Sequence, residues 1–230
     1  MEGAIAHWYA KTTGKTNEFR RDAERLAASM RAGAEVLEVA PGPGYLALEL
    51  TKLGYAVTGL DVSRTFVAIA GANAARAGAA AHFLHGDAAH MPFADASFDY
   101  CLCRAAFKNF RDPEAALQEM HRVLRPGGAA VVIDLRADAS NAAIDAEVAG
   151  MGLGVAARAM TRLTLRALRS RAYSEADFAR MAAASPFGGA SIAATPLGFE
   201  LRLTRQAQTA SRRAAASSAA SGAAHSNPAS

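Results

Sequence analysis

The sequence predicts an α/β fold: a doubly wound, mostly parallel seven-stranded sheet with helices on both faces. Two observations predict it. Short apolar runs of β type alternate with helical stretches from about residue 34 onward, and strict βαβα alternation places a parallel sheet between two helical layers. The first run leads through a glycine-rich turn into a helix, the arrangement in which such sheets bind ligands beyond their strand tips.

Each element has its own signal. Residues 1–34 read as one or two entry helices carrying Ile5, Trp8 and Tyr9, then Phe19 through Met30. Residues 36–40 form a short strand. Leu46, Leu50 and Leu53 recur at helical spacing, with Gly54 as the C-cap. Residues 56–60 are a second strand, residues 66–77 a helix stopped by Gly78, and residues 82–85 a third strand. After the turn Asp95-Ala96-Ser97, residues 100–103 give a fourth. Pro113 sits near the first turn of a helix running to Leu124. Pro126-Gly127-Gly128 breaks that helix before a fifth strand at 130–135. Residues 141–172 read as a helical insertion. A helix at 175–184 and strands near Ile192 and at 200–203 complete the sheet. Residues 1–205 are thus expected to be one domain. From Gln206 the composition collapses to Ala, Ser and Gly, which reads as a disordered tail.

Composition narrows the classes. The 230 residues are 51% hydrophobic and 20% charged, enough apolar content for a packed core. The net charge is +4, and two of the positive charges, Arg212 and Arg213, lie in the tail. The remaining excess is too weak to argue for nucleic acid. Cys101 and Cys103 are expected to point to opposite faces of one strand, which argues against a disulfide between them and for a reducing compartment. With no basic-then-apolar leader and no membrane-length apolar run, a cytoplasmic protein is expected. No metal site is expected.

The most informative segment is Val36-Leu37-Glu38-Val39-Ala40-Pro41-Gly42-Pro43-Gly44-Tyr45. Its glycines let the backbone approach a ligand, and the following helix N-terminus favours a negative group. A dinucleotide would need G-x-G-x-x-G and amide donors for its diphosphate. Here the frame is Ala40-x-Gly42-x-Gly44, the third glycine is missing, and Pro41 and Pro43 have no N–H. S-adenosylmethionine (SAM) carries no phosphate and tolerates that loss. Glu38 is placed to balance its cationic methionyl end. Asp61, 17 residues after Gly44, is placed to accept from both ribose hydroxyls. Asp87 could accept from the adenine amino group, with the Ala88 N–H reaching a ring nitrogen.

Five ordered blocks then resemble the class I SAM-dependent methyltransferases. Glu38-Val39-Ala40-Pro41-Gly42-Pro43-Gly44 looks like their motif I and Leu60-Asp61-Val62-Ser63 like motif II. Gly86-Asp87-Ala88 with Met91-Pro92-Phe93 looks like motif III. Ser97-Phe98-Asp99-Tyr100 and Arg122-Val123-Leu124-Arg125-Pro126-Gly127-Gly128 resemble the blocks around strands four and five. Order and spacing match the small-molecule subgroup that includes quinone-biosynthesis C-methyltransferases. The resemblance implies a Rossmann-like methyltransferase fold, SAM as cofactor and a small-molecule acceptor. It places Glu38, Ala40, Gly42, Gly44, Asp61, Val62, Asp87, Ala88 and Arg104 at the cofactor. Two departures stand out. The family usually has glycine at Ala40, where alanine is expected to keep a negative φ. Where many relatives carry a His-His pair, this chain has Arg104-Ala105-Ala106-Phe107-Lys108-Asn109-Phe110.

A sulfonium methyl is already a strong electrophile, so positioning supplies much of the acceleration and no single residue type marks the catalytic site. Tyr9, in the entry helix, and Lys108 and Asn109, after strand four, are the catalytic candidates. A lysine is a poor base at neutral pH unless desolvated, so substrate orientation is favoured over proton transfer for Lys108, and a surface role over both. Asp134 and Arg136 are expected to pair with each other or to face the acceptor. Arg158, Arg162, Arg166 and Arg169 share one helical face. That face reads first as solvated, and second as a lid contacting an acidic acceptor or an anionic membrane. Met151, Met160 and Tyr173 are candidates for the acceptor pocket. Two rivals stay open: a nicotinamide-dependent oxidoreductase, and a SAM-binding protein without turnover.

Overall fold

A computed structural model describes residues 1–13 and 17–207. Most of the expected tail, residues 208–230, lies outside the described residues. The element order is α1 (Gly3–Thr13), α2 (Glu18–Ala27), β1 (Glu35–Val39), α3 (Tyr45–Lys52), β2 (Ala56–Asp61), α4 (Arg64–Ala77), β3 (His82–His85) and β4 (Phe98–Arg104). A 3-10 turn (Phe107–Asn109) follows, then α5 (Pro113–Val123), β5 (Leu124–Leu135), α6 (Asn141–Gly150), α7 (Val155–Arg169), α8 (Glu175–Ala184), β6 (Ser191–Ala194) and β7 (Gly198–Thr204).

The seven strands form one sheet in the order β3-β2-β1-β4-β5-β7-β6. All pairs from β3 to β5 are parallel, and β7 runs antiparallel to both β5 and β6. The predicted doubly wound class holds. Strand order reverses between β1 and β4, and ligands of open α/β sheets bind at that crevice.

The core splits across the sheet. One face packs Val36, Leu102 and Val131 against Leu26 of α2 and Leu46 and Leu50 of α3. The other packs Leu37, Val39 and Val132 against Leu117 and Met120 of α5 and Phe178 of α8. β1 therefore buries both faces, as a central parallel strand must. Cys101 and Cys103 lie together in the second cluster, buried and free. Residues two apart on a strand share a face, which corrects the expectation that they diverge.

Local chemistry sets the helix ends that aim the site. Ser63 caps α4 through the Phe66 N–H (3.1 Å), and Gly78 ends it at φ 62°. Asp112 caps α5 through the Ala115 N–H, with Pro113 in the first turn. Gly44 is the N-cap of α3 at φ 79°. A Cβ there would come within 2.8 Å of the Phe83 ring, so glycine is required on two counts.

Candidate active site

The loop between β1 and α3 uses its own amide hydrogens. The Ala40 N–H donates to the Leu60 carbonyl (2.8 Å), and the Gly44 N–H donates to the Pro41 carbonyl (3.0 Å). The Gly42 N–H donates to Asp61 Oδ2 (3.0 Å). With Pro41 and Pro43 lacking N–H groups, each amide from Ala40 to Gly44 is either absent or engaged. Ala40 itself adopts φ 57°, which corrects the expected negative φ: the turn out of β1 imposes the left-handed form despite the side chain.

Two carboxylates frame this loop. Glu38 is 3% exposed on β1, and its Oε2 has no hydrogen-bond partner. Burial pushes its pKa up to about 8, opposed by the Ala47 N–H in the first turn of α3 and by the charge of Arg104. An orphaned buried carboxylate oxygen calls for a donor or a cation. Asp61, at the tip of β2, is buried. It takes the Gly42 N–H on Oδ2 and the Ser63 N–H on Oδ1 (2.8 Å). Burial raises its pKa, and those two amides oppose the rise. Each oxygen keeps a lone pair for a further donor.

Beyond the strand tips lies a cavity of about 240 Å³. Ala40, Val62, Asp87, Ala88 and Asn109 line it, together with Phe110 and Arg111. It falls just under the ~300–1,000 Å³ of drug-sized pockets, room for one nucleoside end. Five of the predicted residues thus line one cavity, whereas Glu38, Gly42, Gly44 and Asp61 are not among its lining residues. Phe110 and Arg111 were not singled out. The helix signal at Asp112-Pro113 was the available clue, because it makes the preceding residues the rim of a βα loop. Asp87 is fixed in its turn by accepting the Ala89 N–H (2.9 Å).

These features belong together in one family. Residues 37–132 match the family model described as methyltransferase domain. Over this segment the chain is similar to a methyltransferase domain. Over 123 residues the chain is 40% identical to the demethylmenaquinone methyltransferase of Thermus thermophilus, covering 53% of this chain and 56% of that protein. Over 106 residues it is 40% identical to a ubiquinone/menaquinone biosynthesis C-methyltransferase of Bdellovibrio bacteriovorus, 45% of each chain. The chain thus spans about half the length of the curated relatives it matches. A SAM-dependent methyltransferase structure from Aquifex aeolicus superposes with TM-score 0.65 at 17% identity, covering 86% of this chain and 97% of that one. A putative SAM-dependent methyltransferase from Methanococcus maripaludis gives TM-score 0.67 at 19% identity over 87% and 91%. At these identities the structures speak for the fold. SAM is the cofactor this similarity implies, and the orphaned Glu38 oxygen beside an amide-poor loop fits its methionyl end.

The remaining candidates are placed differently from one another. Tyr9 lies half-buried in α1, edge-on to Phe66, and burial raises its pKa. Trp8 is exposed. Arg104, at the end of β4, is held by Asp22 (2.6 Å) and Glu18 (3.3 Å) of α2 and lies over the Phe19 ring. Lys108 is not on the surface as expected. Its side chain is 5% exposed and pairs with Asp134 at 2.7 Å. Arg136 pairs instead with Asp138, so Asp134 and Arg136 do not pair with each other.

The arginine face of α7 is likewise corrected. Arg162 and Arg166 reach Asp145 of α6, and Arg169 donates to the Ala139 carbonyl and Asn141. The solvated face carries Val155, Met160 and Leu163. Met160 is exposed, and Tyr173 packs among Phe107 and Phe178. Met151 does line a cleft, an open one of about 710 Å³ between α2 and α6 rimmed by Glu18, Arg21 and Glu147. Among the described residues no group of His, Cys, Asp and Glu could hold a metal ion, and no helix is long and apolar enough to cross a membrane.

Proposed function

We propose that this protein transfers a methyl group from SAM to a small-molecule acceptor by in-line displacement. The observation that carries the reading is the β1–α3 loop: its amides are missing or engaged, while the carboxylate behind it has one oxygen without a partner. A diphosphate needs the reverse, free donors and no buried acid.

When bound, SAM supplies an electrophilic methyl on a sulfonium, and the acceptor's lone pair displaces S-adenosylhomocysteine. Glu38 balances the methionyl ammonium. The first turn of α3 would favour the methionyl carboxylate through its helix dipole, not through the loop amides. Asp61 accepts from the ribose hydroxyls while holding Gly42 and Ser63 in place. Val62, Asp87, Ala88 and Asn109 enclose the base. Tyr9 keeps its proton at neutral pH and acts as a covering group that excludes water, since α1 lies over α4 beside the loop. Lys108, already paired, is not the base. Arg104 orients α2 toward the cofactor side. The acceptor enters through the α2–α6 cleft, whose rim lies one ion pair from Arg104.

Calorimetric titration tests this. SAM is expected to bind, NAD is expected not to, and Asp61→Ala is expected to weaken SAM at least about tenfold (~1.4 kcal/mol) by removing the ribose acceptor. Tight NAD binding, or an affinity for SAM that ignores Asp61, contradicts the reading.

A further inference from the structure

The exits of β4 and β5 are joined by one buried ion pair that the transfer chemistry does not use. Lys108 and Asp134 are 5% and 1% exposed in their side chains. Lys108 Nζ donates to Asp134 Oδ1 (2.7 Å) and to the Ala105 carbonyl (2.6 Å). Asp134 Oδ1 also accepts the Leu135 N–H (2.8 Å), and Oδ2 accepts the backbone N–H of Lys108 itself (3.0 Å). Both ends of the Lys108 residue are therefore tied to one carboxylate. The turn is held from the other side as well: Ala105, at φ 58°, donates its N–H to the Ile133 carbonyl (2.7 Å).

A buried pair of this kind is a poor device for stability, because well-packed apolar residues of similar volume serve as well or better. What it does provide is a fixed geometry. The next residues after Lys108 are Asn109 and Phe110, which form one wall of the nucleoside cavity. Phe107, fully buried, anchors the turn from below against Phe110 and Phe178. Aromatic packing and the Ala105 N–H bond to Ile133 hold the start of this turn; the two-point carboxylate grip holds it again at Lys108.

We propose that Lys108 and Asp134 are positioning residues: their pair clamps the turn after β4 to β5 so that Asn109 and Phe110 stand as a preformed wall for the nucleoside. This rests on the SAM reading of the cavity.

The test is the paired replacement Lys108→Met/Asp134→Leu, which removes both charges together. It is expected to melt several degrees below the wild-type protein, because the Lys108 and Leu135 N–H groups lose their acceptor, and to bind SAM at least tenfold more weakly. In the cofactor-free protein, the Asn109 side-chain amide is expected to give one sharp pair of NMR signals in the wild type and broadened or multiple signals in the variant. Should the double variant fail to fold, Asp134→Asn keeps the shape and one acceptor. It is then expected to bind SAM at least threefold more weakly, with the same broadening. Unchanged SAM affinity together with a sharp Asn109 signal overturns the clamp. A wild-type protein that does not bind SAM overturns the cofactor reading instead, and the Asn109 signals of the cofactor-free proteins then decide the clamp alone.

Discussion

Ala40 sits at φ 57° at the bend that turns the chain from β1 toward the cofactor cleft. A Cβ in that conformation crowds the following carbonyl oxygen and costs about 1–2 kcal/mol. The bend is enforced by the Ala40 N–H bond to Leu60, which ties the loop to β2. Ala40→Gly removes the clash but adds about 0.5–1 kcal/mol of backbone entropy to the unfolded chain, so a net gain of ~0.5–1 kcal/mol is expected, read as a higher urea midpoint with unchanged slope. A lower midpoint would show that the alanine methyl is wanted where it lies, against the cavity it lines. This residue also marks a limit of reading side chains by type. Glu38 and Asp61 were legible because an acid at a strand tip needs no partner to be noticed. The backbone of Ala40 was read from the habit of alanine, and the loop overrode the habit. Lys108 was misplaced for a different reason: its partner lies 26 residues away, and no local pattern announces the pair.

At the scale of elements, the end of α5 depends on distant chain. Its last carbonyls have no partner within the helix; the Ala96 and Ser97 N–H groups take those of Arg122 (3.0 Å) and Val123 (2.8 Å). Arg205, just beyond β7, donates from Nη1 to the carbonyls of His121 (2.9 Å), Arg122 (2.8 Å) and Leu124 (2.6 Å). Its backbone meanwhile pairs with Gly127 and Gly128. That single guanidinium joins the end of α5, the irregular start of β5 and the end of β7. Arg205→Ala should cost about 1.5–3 kcal/mol for the charged bond, a fall of several degrees in Tm at this size, about 2–4 °C per kcal/mol. SAM affinity should stay the same, because the cap lies at the strand N-terminal side, away from the cleft. A melting temperature unmoved by the change would mean that water satisfies those carbonyls equally well. Helix starts and stops were readable from Ser63, Gly78 and Pro113, whose effects are local. The orientation of α7 was not. Helical periodicity identified an arginine face, but which face turns inward was decided by Asp145 on α6, and a single exposed acid on a neighbouring helix leaves no periodic trace.

For the whole molecule, the doubly wound sheet gathers the tips of β1, β2 and β4 around Glu38, the one carboxylate among the described residues with a buried unpartnered oxygen, and this makes global stability depend on pH through the proposed cofactor site. Glu38 has a folded pKa of about 8 against an ordinary 4.5. The folded protein therefore holds a proton that the unfolded chain releases across that window. Stability from this group is fully present below the unfolded value and is lost as pH rises through the folded one. Asp61, also raised by burial, acts in the same direction from a lower starting pH. Glu38→Gln removes the titration while keeping the shape. In cofactor-free protein the variant should match the wild type near pH 5 and exceed it by roughly 5 °C or more in Tm by pH 8, since each kcal/mol moves Tm by ~2–4 °C. Saturating SAM should reverse the order at pH 8: the ionised carboxylate meets the methionyl ammonium in the wild type, and the amide cannot. Calorimetry in two buffers of different ionisation enthalpy should accordingly detect proton release on SAM binding near pH 7 in the wild type and much less in the variant. Parallel melting curves for the two proteins from pH 5 to 8 would mean that Glu38 is ionised throughout, held by a partner the cleft already contains.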